Sequence, residues 1–185
     1  MRRIILSSSF VFLLFAFCVP LSFGLPAEDV QLVTDAQYFQ VARMMIHGAK
    51  RSVQVVMFEM GYYDKYPNTP SNLLVRELID ARKRGASVEV ILEVKEGEDR
   101  TTKRNRHTGK ILSEGGVKVI YDSPVKTTHA KFMVVDGELS LLGSTNWTYY
   151  ALTNNNEASV LIRSKEVARA LVEYFNRVKS NRSKE

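Results

Sequence analysis

The chain has 185 residues, 45% of them apolar and 25% charged, which is enough for one domain with its own core and too few for two. Its single cysteine, Cys18, excludes a disulfide framework and a cysteine metal site. The formal net charge of +6 weakly favours polyanionic partners, and no internal repeat is visible.

Met1-Arg2-Arg3 is a short basic start, followed by an apolar run from Ile4 to Leu21 and by the small residues around Ser22-Phe23-Gly24. This is the pattern of a signal peptide over residues 1–24, with a mature start at Leu25 and export to a periplasm or the exterior. The alternative is an uncleaved membrane anchor, since 18 apolar residues just span a bilayer, although Ser7 to Ser9 and Pro20 shorten the apolar core. Cys18 lies inside this segment, and the bulky Phe17 before it does not suit a lipoprotein cleavage site. Cleavage would remove Arg2 and Arg3 from 26 basic residues and none of the 20 acidic ones, leaving +4.

Beyond it, Thr34-Asp35 opens a predicted helix in which Val41, Ala42, Met45, Ile46 and Ala49 follow the helical period up to Lys50-Arg51. Ser52 to Met60 reads as a strand, and its nearly continuous run of valines predicts a central strand covered on both faces. The tyrosine-rich loop from Gly61 to Pro70 follows, looking like an insertion. Ser71 is the predicted cap of a second helix with Leu74, Leu78 and Ala81 inward and a basic end before Gly85. Ser87 to Val94 is the next strand. A polar stretch from Lys95 to Thr108 then leads into a helix ending near Gly115-Gly116, and Val117 to Tyr121 is a third strand. Strands alternating with helices in this order predict parallel pairing through right-handed crossovers. A final strand, Ala158 to Arg163, precedes a helix capped by Ser164 with Val167, Ala170, Leu171, Tyr174, Phe175 and Val178 inward. The expected architecture is α/β, a mixed and largely parallel β-sheet flanked by helices on both faces.

Between these elements lies His129-Ala-Lys131, then an apolar run, Asp136-Gly137, a second apolar run and Gly143-Ser144-Thr145-Asn146. Asp-Gly supplies positive φ, so the segment reads as a hairpin. Strand alternation puts His129 and Lys131 on one face, with Ser144 and Asn146 arriving where the second strand leaves the sheet. A nucleophile or base, a fixed cation and two neutral hydrogen-bonding groups on one rim suit a phosphate better than a carbonyl. Asp136, seated in the turn, reads as a structural carboxylate.

The spacing His-x-Lys-x4-Asp-x6-Gly-Ser-x-Asn resembles the signature of the phospholipase D superfamily, with His129, Lys131, Asp136, Gly143, Ser144 and Asn146 all matching. The segment Asn154 to Ala158, with Glu157, looks like the place where that family carries an acidic partner for its histidine. The resemblance extends loosely from Thr34 to Val178, is closest to the small, single-motif Nuc-type bacterial endonucleases, and makes residues 25–185 one phospholipase D-like catalytic domain. It implies metal-independent phosphodiester cleavage through a phosphohistidine on His129, with no cofactor. Lys131, Asn146 and Ser144 would then hold the phosphate charge, and Glu157 would hold the far ring nitrogen of His129. Gly143 and Asp136 remain structural. In this superfamily two histidine motifs share one site, and this chain carries one, so the expectation is a homodimer with a composite site.

Lys103, Arg104, Arg106 and Lys110 form the most basic stretch and are candidates for contact with a nucleic-acid backbone, the alternative being a solvated helix face. His47 and His107 have no partners at metal-ligand spacing and read as structural. Trp147, Tyr149 and Tyr150 are assigned to packing rather than to stacking on bases. The reading is an exported, low-specificity endonuclease acting on nucleic acid, with DNA as the first candidate substrate and RNA as the second. The alternatives are a lipid hydrolase acting on a cardiolipin-like substrate, tethered if the amino-terminal segment stays on, and a non-catalytic nucleic-acid-binding module. A polar, basic groove would favour nucleic acid and an apolar trough beside Tyr62, Tyr63 and Tyr66 would favour lipid.

Overall fold

The computed structural model describes residues 24–97 and 99–181. The expected signal segment, with Cys18, lies outside the described residues apart from Gly24. Seven strands form one sheet: β1 (Asp29–Thr34), β2 (Ser52–Met57), β3 (Ser87–Leu92), β4 (Lys118–Tyr121), β5 (Phe132–Val135), β6 (Leu139–Gly143) and β7 (Ala158–Arg163), in the order β1-β7-β6-β5-β2-β3-β4. The helices are α1 (Gln37–Gly48), α2 (Pro70–Lys83), α3 (Arg100–Glu114), the short α4 (Tyr149–Thr153) and α5 (Lys165–Asn181). No helix among the described residues is long and apolar enough to cross a membrane.

β2, β3 and β4 pair parallel through α2 and α3, as the alternating pattern requires. The other neighbours, β2–β5, β5–β6, β6–β7 and β7–β1, are antiparallel, so the parallel part is narrower than expected. Helices cover both faces. α1 to α3 pack over one side, where Ile46, Leu78 and Leu112 meet Val53, Val55 and Met57, while α5 packs Ala168 and Phe175 over Val56, Phe132 and Val134 on the other. The alternation of β2 sends Val53, Val55 and Met57 to one core and Val56 to the other, which is why its apolar run is continuous.

Several boundaries differ from the sequence reading for local reasons. Thr34 belongs to the unexpected edge strand β1, and α1 starts only after Asp35, whose φ of 51° turns the chain. The cap of α2 is Thr69, whose hydroxyl accepts the Asn72 N–H, and Pro70 occupies the first turn; Ser71 is buried within the helix. Asp99 caps α3 by accepting the Thr102 N–H at 2.7 Å, so most of the polar stretch is helical. On α5, Ser164 does cap, but Tyr174 lies at the surface against the Phe132 ring.

One buried side chain ties the carboxyl ends of β2 and β3 together. Asn105 accepts the Met60 N–H and donates to the carbonyls of Phe58 and Glu93, each at 2.8 Å. Because these backbone groups have no helix or ladder partner here, Asn105→Ala should lower stability by about 3 kcal/mol, at roughly 1 kcal/mol or more per orphaned group. A urea unfolding midpoint equal to wild type would show that water replaces the amide.

Candidate active site

The motif hairpin is held at its closed end by Asp136. With φ at 54° it turns the chain together with Gly137, φ 66°. Its carboxylate accepts the backbone N–H groups of Lys50 at 3.0 Å, Arg51 at 2.7 Å and Ser52 at 2.9 Å. Burial opposes its ionisation, but these three bonds and the Arg51 charge outweigh it and hold the carboxyl below the usual carboxylate range. Asp136 thus fixes the register of β5 on β2. Gly143 is required at the open end, because a Cβ there would collide with the Ala158 carbonyl and with Ser159 on β7.

At that open end His129 and Lys131 come together. The Lys131 ammonium donates to the His129 carbonyl at 2.6 Å and lies 3.1 Å from Nδ1 and 3.4 Å from Nε2 of the ring. Phe58, just past β2, packs on the imidazole with ring centroids 4.4 Å apart and also underlies the ammonium. Desolvation, reinforced by the charges of Lys131 and Lys95, pushes the His129 pKa below its ordinary value and so favours the neutral imidazole. Burial likewise lowers the pKa of Lys131, against the opposing pull of Glu157.

Asn146 accepts the Glu59 N–H through Oδ1 at 3.2 Å, which commits the carbonyl end and turns Nδ2 into the available donor. The following residue secures this: Trp147 is fully buried, donates its ring N–H to the Tyr38 hydroxyl at 3.1 Å and its backbone N–H to Glu59 O at 3.0 Å. Packing is therefore its role, as expected, while Tyr149 and Tyr150 are exposed. Ser144 donates to Glu157 and accepts the Ala158 N–H at 3.1 Å. Glu157 also takes the Asn155 amide at 3.1 Å. The expected bond between Glu157 and the His129 ring is not made in this arrangement; the β6–β7 pairing sets Ser144 directly beside Glu157, and the carboxylate takes the nearer donors. Its influence on the site runs through Lys131 and Ser144.

Three acids missed by the sequence reading stand at or just beyond the carboxyl ends of the parallel strands: Glu59 after β2, Glu93 after β3 and Asp122 after β4. Their position was the available signal, since open α/β sheets bind ligands outside the carboxyl ends of their strands. Glu93 is buried and accepts the Thr128 N–H at 2.5 Å, holding the residue next to His129, while Asp122 accepts the Val94 N–H at 2.8 Å. Burial first, and the adjacent Asp122 second, push the Glu93 carboxyl up to about 8. An unfolded glutamate ionises near pH 4.3. Folding therefore retains a proton on Glu93 across the window between about pH 4 and 8, and this contribution to stability is lost as pH rises through it. Glu93→Gln should flatten that slope, gaining stability relative to wild type as pH rises from 5 to 8.5 in urea titrations; parallel curves would return the proton to another group.

The candidate basic residues part company on α3. Lys103, Arg106 and Lys110 lie on its exposed side, Arg106 over the Tyr121 ring and Lys110 beside Glu114. Arg104 instead pairs with Glu59 and, one turn from Arg100, faces a cleft of 700 Å³. This cleft is also lined by Tyr63, Tyr66, Tyr149 and Tyr150. It lies beside the histidine rather than around it, joined to the rim through Glu59 and Asn146. His47 and His107 lie at the surface, 3.5 Å from a Glu77 carboxylate oxygen and 3.1 Å from one of Asp64.

Comparison with known proteins agrees with this arrangement. A family profile described as "Cardiolipin synthase, PLD-like domain" matches residues 43–179. Mitochondrial cardiolipin hydrolase of Canis lupus familiaris is 34% identical over 68 residues, 37% of this chain and 27% of that protein. The Xenopus laevis protein of the same name is 29% identical over 145 residues, 78% of this chain and 62% of its own length. The chain thus spans less than two thirds of these curated relatives. Among solved structures, Nuc of Salmonella typhimurium, a phospholipase D family member, superposes with a TM-score of 0.69 at 22% identity, covering 83% of this chain and 95% of Nuc. With the profile covering most of the chain and the motif residues gathered at one end of the central strands, this protein belongs to the phospholipase D superfamily.

Proposed function

We propose that the chain is a phosphodiesterase that cleaves nucleic acid as a low-specificity endonuclease, with His129 as nucleophile. The observation that carries the choice of substrate is the pair Arg100 and Arg104 in the wall of the cleft beside the site, two cations placed for flanking phosphates; the four tyrosines with them make the cleft surface mostly apolar, the feature expected for lipid, and so favour the second reading below. The reading requires the neutral imidazole of His129 to attack phosphorus, forming an N–P bond as the P–O bond to the leaving group breaks. Lys131 and the Asn146 Nδ2 neutralise the non-bridging oxygens. Water then hydrolyses the N–P bond and releases the imidazole. The leaving oxygen needs a proton, and no second histidine of this chain stands at the rim. We therefore place the acid on His129 of a second copy, in a two-fold dimer whose two motifs face one phosphate.

Lipid hydrolysis is the second reading, favoured by the name that the curated relatives carry, mitochondrial cardiolipin hydrolase. The purified full chain, given single-stranded DNA, duplex DNA, RNA and cardiolipin vesicles with and without excess chelator, should cut the nucleic acids at rates the chelator leaves unchanged. Hydrolysis of cardiolipin with no cleavage of nucleic acid overturns the first reading.

A further inference from the structure

The tyrosine cleft has more architecture than a phosphate contact demands. Tyr63 and Tyr66 come from the loop after β2, and that loop is rigidly tied. The wholly buried Asn72 accepts the Tyr63 N–H at 2.9 Å and donates to the carbonyls of Tyr63 at 3.0 Å and Tyr66 at 3.3 Å. The Tyr63 hydroxyl in turn accepts the N–H of Tyr149 at 3.2 Å, joining the loop to the start of α4. Two otherwise distant segments are thereby held as the walls of one concavity.

Within it, aromatic surface is left open. Tyr66 is 67% exposed, Tyr150 66% and Tyr149 41%, the last two edge to face at 5.4 Å between centroids. Such exposure costs apolar contact with water unless something covers it. Arg104 lies 5.6 Å from the Tyr63 ring centre, anchored by Glu59, so a planar cation already occupies one aromatic face. A cleft of 700 Å³ falls in the range of about 300–1,000 Å³ typical of small-ligand sites. It is joined to the rim through Glu59, whose backbone N–H donates to Asn146 Oδ1 and whose carbonyl accepts the Trp147 N–H, so whatever occupies it is a near neighbour of the phosphate that Asn146 would hold.

Resting on the nuclease reading, we infer that this cleft is a stacking subsite for one unpaired nucleobase adjoining the scissile phosphate. A planar, uncharged π-face is what tyrosines and a guanidinium plane bind together, and every base offers one, which accords with low sequence specificity. A base inside a duplex has both faces covered by its neighbours and cannot enter. The substrate strand must therefore be single or locally opened, and Arg100 and Arg104 favour the flanking phosphates.

The test is an end-labelled single-stranded oligonucleotide carrying one abasic residue, cut by the full chain and resolved on a sequencing gel. One bond at a constant offset from the abasic position should be cut about tenfold less than its neighbours, the loss expected for one base stacked on aromatics. Tyr149→Ala/Tyr150→Ala should flatten that dip and shrink the preference for single strands over duplex. Tyr149→Phe/Tyr150→Phe, which keeps the rings, should retain both, and circular dichroism of each variant checks folding. Nucleic acid cut without any dip, or a dip lost equally in the phenylalanine variant, overturns the subsite while the nuclease reading stands. Hydrolysis of cardiolipin vesicles alone, with no oligonucleotide cleaved, overturns both.

Discussion

Replacing His129 with alanine should reduce phosphodiester cleavage by roughly 10⁴-fold or more, the scale seen when a covalent nucleophile is removed, with little change in the unfolding midpoint. The ring lies at the surface, its apolar contact is essentially the one with Phe58, and no core cluster includes it. Near-normal cleavage by this variant would remove His129 from the chemistry. The same variant tests the composite site. Mixed and refolded in excess with wild type, it should depress activity below the wild-type fraction, because most wild-type subunits would then sit in dimers with one histidine. Activity that merely follows the wild-type fraction despite subunit exchange would place the acid within one chain.

Lys131→Met should lower cleavage by roughly 10²–10³-fold, the range for losing one preorganised donor to a developing anion. Methionine keeps much of the apolar stem of a residue that is only 7% exposed, so the fold should survive. A second readout separates charge from packing. Burial is the first cause of the depressed His129 pKa and Lys131 the second, so removing the ammonium lifts part of the depression. The acid limb of kcat/KM, which reports free His129, should therefore move to higher pH in Lys131→Met. An unmoved limb would mean that the ammonium does not act on the imidazole.

Those two residues were legible in the sequence because a local pattern carries them: a strand puts alternate residues on one face wherever it lies, and Asp136-Gly137 turns the chain with little help from elsewhere. Asp136 shows where that legibility ends. Its place in a turn predicted a structural role, but its acceptors' partners, Lys50 to Ser52, lie more than eighty residues away and are set by β2 pairing with β5.

Local pattern by itself determined the β-α-β-α-β order, the central place of the strand that starts at Ser52, the motif hairpin and the set His129, Lys131, Ser144 and Asn146, since hydrophobic period and turn chemistry act over a few residues; the end of that strand, expected at Met60, falls at Met57. Only the tertiary structure decided that Glu59, Glu93 and Asp122 share the end of the sheet that holds His129, that Glu157 turns to Ser144, and that Arg104 leaves its basic neighbours to face four tyrosines. Each of those outcomes depends on which strands become neighbours and which side of a helix meets them, and such long-range pairings are chosen by burial of the whole core.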